Sequence, residues 1–144
     1  MKTSAILVDI DGTIANNQHR QIYLKDNSKD WDKFFISMAK DKPILENINV
    51  ISRLRQSGHK VIITTGRPIK YEVFTIKWLD KHIGKNNYEL YQRKQNDFRS
   101  SLILKKEFLH LIQELNEIVA IFEDQIEIIE MYKNEGYLCI NPKK

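Results

Sequence analysis

A short apolar run that ends in two aspartates constrains this chain more than any other feature. Residues 5–8 are all apolar and rich in branched side chains, which is typical of a strand buried on both faces of a parallel sheet. Asp9 and Asp11 follow at once, and since alternate side chains of an extended strand share a face, both should point the same way. Gly12 then permits a sharp turn. Because open α/β sheets bind ligands at the carboxyl ends of their strands, a functional site is predicted here.

A structural role for the two aspartates is the alternative. Aspartate before glycine is common in turns, which alone would account for Asp11 and Gly12. Asp9 is harder to explain in that way, because a carboxylate against an apolar strand is costly unless it is paired, hydrogen-bonded or bound to a metal. The pattern therefore favours function.

Size and composition predict one domain over residues 1–144. A chain of 144 residues can bury a sizeable core, and its net charge of +4 is weak evidence for phosphate-bearing partners. The apolar runs fall short of the roughly 20 residues that span a bilayer, and the N-terminus does not resemble a signal peptide. The single cysteine, Cys139, excludes an intrachain disulfide and a cysteine metal cluster. We expect a cytoplasmic protein with no membrane partner, and the oligomeric state stays open.

Apolar periodicity predicts alternating helices and strands after the first strand. Helices are predicted over 43–57, 68–83, 100–116 and 125–135, and strands over 61–63, 88–91, 118–122 and 137–140. Residues 16–29 are predicted to form a polar loop or flap, and residues 30–40 a short helix that either covers the core or forms a lid. Three helix–glycine–strand units indicate crossovers in a parallel sheet. The predicted fold class is α/β, a five-stranded parallel sheet flanked by helices, with a small insertion over 14–42.

The ends of the predicted strands bring polar side chains to one edge of the sheet. They are Asp9, Asp11, Thr65, Arg67, Glu123 and Asp124, and Lys105 near a helix N-terminus should face the same edge. Four crowded carboxylates repel one another unless a divalent cation lies between them, and oxygen ligands suit Mg²⁺. A hydroxyl, a lysine and an arginine beside that metal would form a phosphate site. One aspartate could then act as a nucleophile through an aspartyl-phosphate, and the other as general acid and base.

These residues resemble, in order and spacing, the four motifs of the haloacid dehalogenase (HAD) superfamily of phosphatases. The motifs are residues 9–13, Thr65, Lys105 and residues 123–124. The resemblance implies a Rossmann-like HAD fold in which Asp9 is the nucleophile and Asp11 the general acid and base. It also implies that Thr65 and Lys105 bind the phosphoryl group. The implied Mg²⁺ ligands are Asp9, the backbone carbonyl of Asp11, Glu123 and Asp124.

Almost the whole chain is similar to the 3′-phosphatase domain of bacteriophage polynucleotide kinase and its free-standing relatives. The features shared beyond the four motifs are Arg20, residues 65–67, the loop 92–99, residues 123–125 and residues 131–132. The resemblance implies polynucleotide 3′-phosphate ends as substrate. The implied substrate-binding residues are Arg20, Gly66, Arg67 and Arg99. Glu123 and Gln125 depart from the family's two aspartates and an arginine, which bears on metal preference, and Ser101 and Leu102 replace acidic residues, which weakens the case for a polynucleotide.

Three other functions stay open at this point. A nucleotidase acting on free mononucleotides is the nearest rival, and a non-catalytic nucleotide-binding relative is supported by Glu123 alone. A signalling receiver domain is opposed by the third predicted strand, which ends at residues 91–93 without an aspartate. The chain also lacks the glycine-rich Lys-Ser/Thr loop that binds ATP, so kinase or ligase activity would belong to separate partners.

Overall fold

A central sheet of five parallel strands positions the side chains of the predicted edge. The computed structural model describes residues 1–27 and 29–143, so that Ser28 in the predicted flap and Lys144 lie outside the described residues. The strands are β1 (Thr3–Val8), β2 (Ala15–Asn16), β3 (Lys42–Pro43), β4 (Lys60–Pro68), β5 (Glu89–Arg93), β6 (Asn116–Phe122) and β7 (Cys139–Ile140). The α-helices are α1 (Trp31–Ile36), α2 (Leu45–Gln56), α3 (Glu72–Leu79), α4 (Ser101–Ile112) and α5 (Ile126–Asn134). The sheet order β5-β4-β1-β6-β7 puts β1 in the middle and confirms the predicted fold class.

Strand β1 is buried on both faces, as its apolar run predicts. Ala5 and Leu7 belong to a core cluster that includes residues of α4 and α5. Ile6 and Val8 belong to the cluster on the other face, together with residues of α2 and α3. All four side chains are fully buried. The middle position of β1 therefore fixes where Asp9 and Asp11 leave the sheet.

The insertion after β1 is more ordered than its sequence predicts. Strands β2 and β3 pair antiparallel, and between them lie a 3₁₀ helix (Gln18–Leu24), α1 and a second 3₁₀ turn. Within the polar loop or flap predicted over 16–29, the structure has a 3₁₀ helix over Gln18–Leu24. The reason is Arg20, a fully buried charge held by ion pairs, which apolar periodicity does not detect. The aromatic helix α1 buries Phe34 but leaves Trp31 half exposed.

Two predicted helix starts were wrong because each proline lies in a strand. Pro43 pairs with Ala15 in β3, so that α2 begins two residues later. Pro68 is the last residue of β4, and a 3₁₀ turn precedes α3. Leu45 and Val73, apolar residues near the starts of these two helices, are exposed.

The helix predicted over 100–116 also ends earlier than the sequence predicts. Helix α4 ends at Ile112, which leaves Leu115 exposed. No helix within residues 1–27 and 29–143 is long and apolar enough to cross a membrane.

Candidate active site

The Asp9 carboxylate is buried at the end of β1, where it meets a lysine from α4. Lys105 Nζ donates hydrogen bonds to Asp9 Oδ1 at 2.6 Å and to Glu123 Oε1 at 2.6 Å. The Thr13 hydroxyl donates to Asp9 Oδ2 at 3.1 Å. Asp9, Lys105 and Glu123 are all buried. The fold thus brings together residues that lie far apart in the sequence, as the strand-end argument predicts.

The charges around Lys105 do not balance. Burial alone would lower the pKa of Lys105, but the charges of Asp9 and Glu123 outweigh it, so that the pKa is raised and the lysine stays protonated. Burial raises the pKa of Asp9 well above its usual value; Lys105 opposes this rise and Glu123 adds to it. One lysine therefore does not compensate the acidic side chains gathered here.

Three carboxylates in this region are close enough to share a cation. Asp9, Glu123 and Asp124 each place one oxygen within 4.8 Å of the others. Asp124 Oδ1 is buried without a hydrogen-bond partner among the described residues, and Oδ2 lies 3.0 Å from Lys143 Nζ. Gly12, at φ +83°, makes room for this carboxylate, since an added Cβ would lie 2.1 Å from Asp124 Oδ2. An orphaned carboxylate oxygen in an all-oxygen group fits a divalent cation.

Glu123 differs from its neighbour Asp124 in having both oxygens engaged. Oε1 accepts from Lys105, and Oε2 accepts from the backbone N–H groups of Asp124 and Gln125 at 3.0 and 3.2 Å. Those two donors directly precede α5. The longer glutamate side chain thus connects the lysine to the start of the helix.

Asp11 leaves the same strand end but enters different surroundings. Arg67 donates to both of its oxygens, through Nε at 3.1 Å and Nη2 at 2.7 Å, and Arg20 Nη2 donates to Oδ1 at 2.6 Å. Burial alone would raise the pKa of Asp11, but the charge of Arg67, its hydrogen bonds and the charge of Arg20 lower it below the usual value. Both arginines are buried.

Asp41 completes this arginine cluster and was missed in the sequence. Its carboxylate accepts from Arg20 Nε and Nη2, both at 2.9 Å, and from Arg67 Nη2 at 3.2 Å. His19 Nε2 lies 2.7 Å from Asp41 Oδ1, and Trp78 Nε1 donates to the Asp41 backbone carbonyl. Asp41 lies in the insertion, where no motif marks it, so only the buried arginines could have suggested a partner.

The remaining predicted site residues line or support the same strand ends. The buried Thr65 hydroxyl accepts from Arg67 N at 3.1 Å. The Gly66 carbonyl accepts from Arg93 Nε at 2.8 Å. Arg99 lies farther out and is exposed, paired with Asp97 at 2.8 Å and with Glu107 at 2.5 Å.

The family is decided by a match that covers nearly the whole chain. The family model "Polynucleotide kinase PNKP phosphatase domain" matches residues 3–143. This chain belongs to the polynucleotide kinase phosphatase family. The resemblance inferred from the motifs is thereby confirmed, and the protein is a HAD-type phosphatase.

Individual relatives agree with the family assignment. A putative bifunctional polynucleotide kinase/RNA ligase of Autographa californica nuclear polyhedrosis virus is 27% identical over 132 residues, which are 90% of this chain and 18% of the viral protein. A chain in the structure of the Pnkp1/Rnl/Hen1 RNA repair complex is 27% identical with a TM-score of 0.82, covering 97% of this chain and 42% of that one. This phosphatase therefore spans less than half the length of these relatives.

The fold likeness extends to phosphatases of lower sequence identity. The class C acid phosphatase from Bacillus anthracis is 19% identical with a TM-score of 0.69, covering 99% of this chain and 68% of that chain. At that identity the likeness concerns the fold alone. HAD phosphatases generally use a divalent metal, and the acidic group of Asp9, Glu123 and Asp124 could hold one.

A groove of about 1050 Å³ opens over the strand ends of this phosphatase. Its floor includes Asp9, Asp11, Thr65, Arg67 and Lys105. One side carries α1 and the turn before α3, and the other carries the loop between β5 and α4. The groove therefore gives a phosphate access to the groups described above.

Proposed function

We propose that this phosphatase removes the terminal phosphate from nucleic-acid 3′ ends through an aspartyl-phosphate formed on Asp9. The observation that carries the proposal is the contact of the buried Asp9 with Lys105 at the floor of the groove. A lysine in this position can bind a phosphoryl oxygen while it orients the carboxylate beside it. Thr65 lines the same floor and supplies a hydroxyl.

The proposed reaction uses the two aspartates in turn. An oxygen of Asp9 attacks phosphorus, the bond from phosphorus to the sugar oxygen breaks, and Asp11 gives its proton to that oxygen. Asp11 then takes a proton from water, whose oxygen attacks the same phosphorus. The bond between Asp9 and phosphorus breaks, which releases inorganic phosphate and restores the carboxylate.

Arg67 and Arg20 have a role before this reaction. Asp11 must hold a proton when the sugar oxygen leaves. Burial is the largest influence and raises the pKa of Asp11, but the arginines, Arg67 first, lower it below its usual value. A substrate phosphate competes for the arginines, because a guanidinium binds phosphate through paired hydrogen bonds. Arg67 also has a buried Nη1 without a partner among the described residues. Transfer of these arginines to the substrate would let Asp11 take up the proton it needs.

The cation that fits the acidic group is proposed to be Mg²⁺. Its ligands would be Asp9, Asp124 and the backbone carbonyl of Asp11, with Glu123 acting on Lys105 rather than as a principal ligand. When bound, the metal supplies positive charge that offsets the repulsion between Asp9 and the phosphate. Without the metal, one buried lysine, Lys105, offsets the charges of Asp9, Glu123 and Asp124.

We favour polynucleotide ends over free mononucleotides because the groove is large for a small-molecule site. Its volume of about 1050 Å³ lies at the upper limit of small-molecule sites, which typically span roughly 300–1,000 Å³. The relatives named above include a putative kinase/ligase and a member of an RNA repair complex. Separate kinase and ligase partners are therefore proposed for this chain, and a cytoplasmic location stays a prediction.

Release of inorganic phosphate tests the proposal directly. The panel contains mononucleotides and 3′- or 5′-phosphorylated oligonucleotides of DNA and RNA, each with Mg²⁺ and with a chelator. We expect the highest kcat/KM for 3′-phosphorylated oligonucleotides and loss of turnover with the chelator. Higher kcat/KM for mononucleotides would instead support a nucleotidase, and turnover that persists in the chelator would contradict the Mg²⁺ site.

The nucleophile is tested by Asp9→Asn, which keeps the shape of the side chain. We expect kcat to fall by at least about 10³-fold, since no other group can form the covalent intermediate. Glu114→Gln makes the same chemical change at an exposed position and should keep full activity. Near-normal turnover in a folded Asp9→Asn protein would show that another residue attacks phosphorus.

A further inference from the structure

The insertion presents a row of stacked aromatic rings along one side of the groove. Trp31 and Phe35 stack at 5.9 Å with an interplanar angle of 23°, and Phe35 and Tyr71 stack at 4.8 Å with an angle of 26°. All three line the groove. Phe35 and Tyr71 are partly or largely buried, whereas Trp31 at the end of the row is 49% exposed. The row therefore ends in a half-exposed indole ring, with Lys29 Nζ over it, that a further flat group can reach from solvent.

The loop on the other side of the groove presents a single phenylalanine to solvent. Phe98 is 90% exposed and lines the same groove. Arg93 fastens this loop: its guanidinium donates to the carbonyls of Gly66, Asp97 and Arg99 at 2.8, 3.0 and 2.6 Å. Phe98 does not pack into the core, and its place in the lining leaves its ring free to contact a ligand in the groove.

Positive charge accompanies both aromatic sides. Lys70 Nζ lies 5.5 Å from the centre of the Tyr71 ring, and Lys29 Nζ lies 5.9 Å from that of Trp31. Lys94 and Arg99 line the opposite side together with Phe98. Asp97, the acid in that loop, is paired with Arg99. The walls of the groove are thus aromatic and predominantly basic, whereas its floor combines Asp9 and Asp11 with Arg67 and Lys105.

We propose that the groove walls bind the single-stranded segment preceding the reacting end, with nucleobases stacking on Trp31 and Phe98 and backbone phosphates facing Lys70 and Lys94. Aromatic side chains interleaved with lysine and arginine suit single strands, because every base offers a face for stacking and every linkage a negative charge. The inference rests on the proposed function, since it takes the terminal phosphate to lie on the floor of the groove.

Aromatic surfaces on two sides of the groove would distinguish a polymer end from a mononucleotide. A mononucleotide bound by its phosphate at Asp9 has one base, whereas the groove offers aromatic surfaces on two sides. A strand can use both, because its successive bases are unstacked and separately accessible. Trp31 and Phe98 are therefore specificity-determining residues, without a part in the chemical step.

Binding of a product strand tests the inference without any need for turnover. The probe is a fluorescein-labelled oligothymidylate with a 3′-hydroxyl, titrated by anisotropy against the full chain, with an oligouridylate as a second arm. Phe98→Ala and Trp31→Ala should each raise Kd about 5- to 150-fold, the range for loss of one stacked base. Phe98→Trp keeps an aromatic ring and should bind the strand at least as tightly as the wild type does. Leu115→Ala, an exposed apolar residue outside the groove, should leave Kd unchanged.

Two further readouts separate this inference from the proposed function. The chain has two tryptophans, of which Trp78 is buried, so that stacking on Trp31 should quench the exposed one. Phe98→Ala should also lower kcat/KM for 3′-phosphorylated oligothymidylate while it spares 3′-thymidine monophosphate. A wild-type enzyme without phosphate release would overturn the proposed function, whereas equal Kd values for wild type and both alanine variants would overturn this inference alone. Tighter binding of duplex than of single strand, or an altered oligomeric state in Phe98→Ala with unchanged Kd, would also overturn it.

Discussion

Asp9 and Asp11 leave the same strand one residue apart, yet they enter opposite electrostatic surroundings. Asp9 shares one buried lysine with Glu123 and lies near Asp124, so that burial raises its pKa despite the lysine. Asp11 shares two buried arginines with Asp41, and the arginines lower its pKa although burial acts against them. Around Asp9, acidic side chains outnumber the buried basic ones, whereas around Asp11 two aspartates face two arginines.

The difference shows what each side still lacks. The Asp9 side can accept a further cation, as the unpartnered oxygen of Asp124 also indicates. The Asp11 side has its own positive charges, and these can be shared with an incoming anion. A strand end with two aspartates thus provides one position for a metal and nucleophile and another for proton transfer, because different elements supply the partners.

Removal of Lys105 should abolish the ion pairs that Asp9 and Glu123 make, and it has the largest expected effect. Lys105→Met leaves Asp9 and Glu123 buried without their cation, and loss of one partner of a buried pair costs about 3–5 kcal/mol. Urea unfolding measures the loss, and kcat should fall with it. Lys106→Met changes the exposed neighbour and should stay within about 0.5 kcal/mol of wild type. Equal unfolding free energies for the two variants would show that Lys105 does not stabilise the buried charges of Asp9 and Glu123.

Asp124 and Glu123 should respond differently to metal, which sharpens the comparison within the Asp9 side. At Mg²⁺ concentrations of 100 times Kd, the wild type should gain about 2.7 kcal/mol in unfolding free energy. Asp124→Asn should lose most of this gain, since it removes a ligand whose Oδ1 has no other partner within the described chain. Glu123→Gln should lower metal-free stability, because an amide cannot accept from Lys105 and from two backbone N–H groups at once.

The two variants are compared by urea unfolding at several Mg²⁺ concentrations. If Glu123→Gln loses the metal response as fully as Asp124→Asn, Glu123 is a principal ligand and the assignment made above is wrong. If both keep the full response, the cation binds elsewhere.

Local sequence predicted the sheet and the floor of the groove because both depend on short patterns. The apolar run before Asp9 specifies a buried strand, and parallel strands necessarily gather their ends at one edge. For that reason Asp9, Lys105 and Asp124 could be placed together before any coordinates. The structure of the insertion was harder to predict, since its order depends on the pairing of Arg20 with Asp41, 21 positions away. Ion pairs of this kind leave no periodic trace.

The positions of the arginines show the same limit. Arg20 and Arg67 were predicted as substrate ligands, and the structure shows them engaged with Asp11 and Asp41. A sequence indicates that an arginine is near a phosphate site, but it does not show which carboxylate holds it beforehand. The aromatic row was likewise only half predictable: helical spacing suggested α1, whereas the stacking of Phe35 on Tyr71 is a tertiary contact.

The pH dependence of stability tests the Asp11 side and should give the smallest effect. Because the folded-state pKa of Asp11 is lowered, its ionised form stabilises the fold above the unfolded-state pKa of about 3.9, and this contribution is lost as the pH falls through the folded-state pKa. Asp11→Asn lacks the charge at every pH. The wild type should therefore exceed Asp11→Asn in unfolding free energy near neutrality, and the difference should shrink below about pH 4. Urea unfolding of both proteins across this pH range measures it. A difference that grows on acidification would mean that the arginines do not hold Asp11 ionised, and the contrast with Asp9 would disappear.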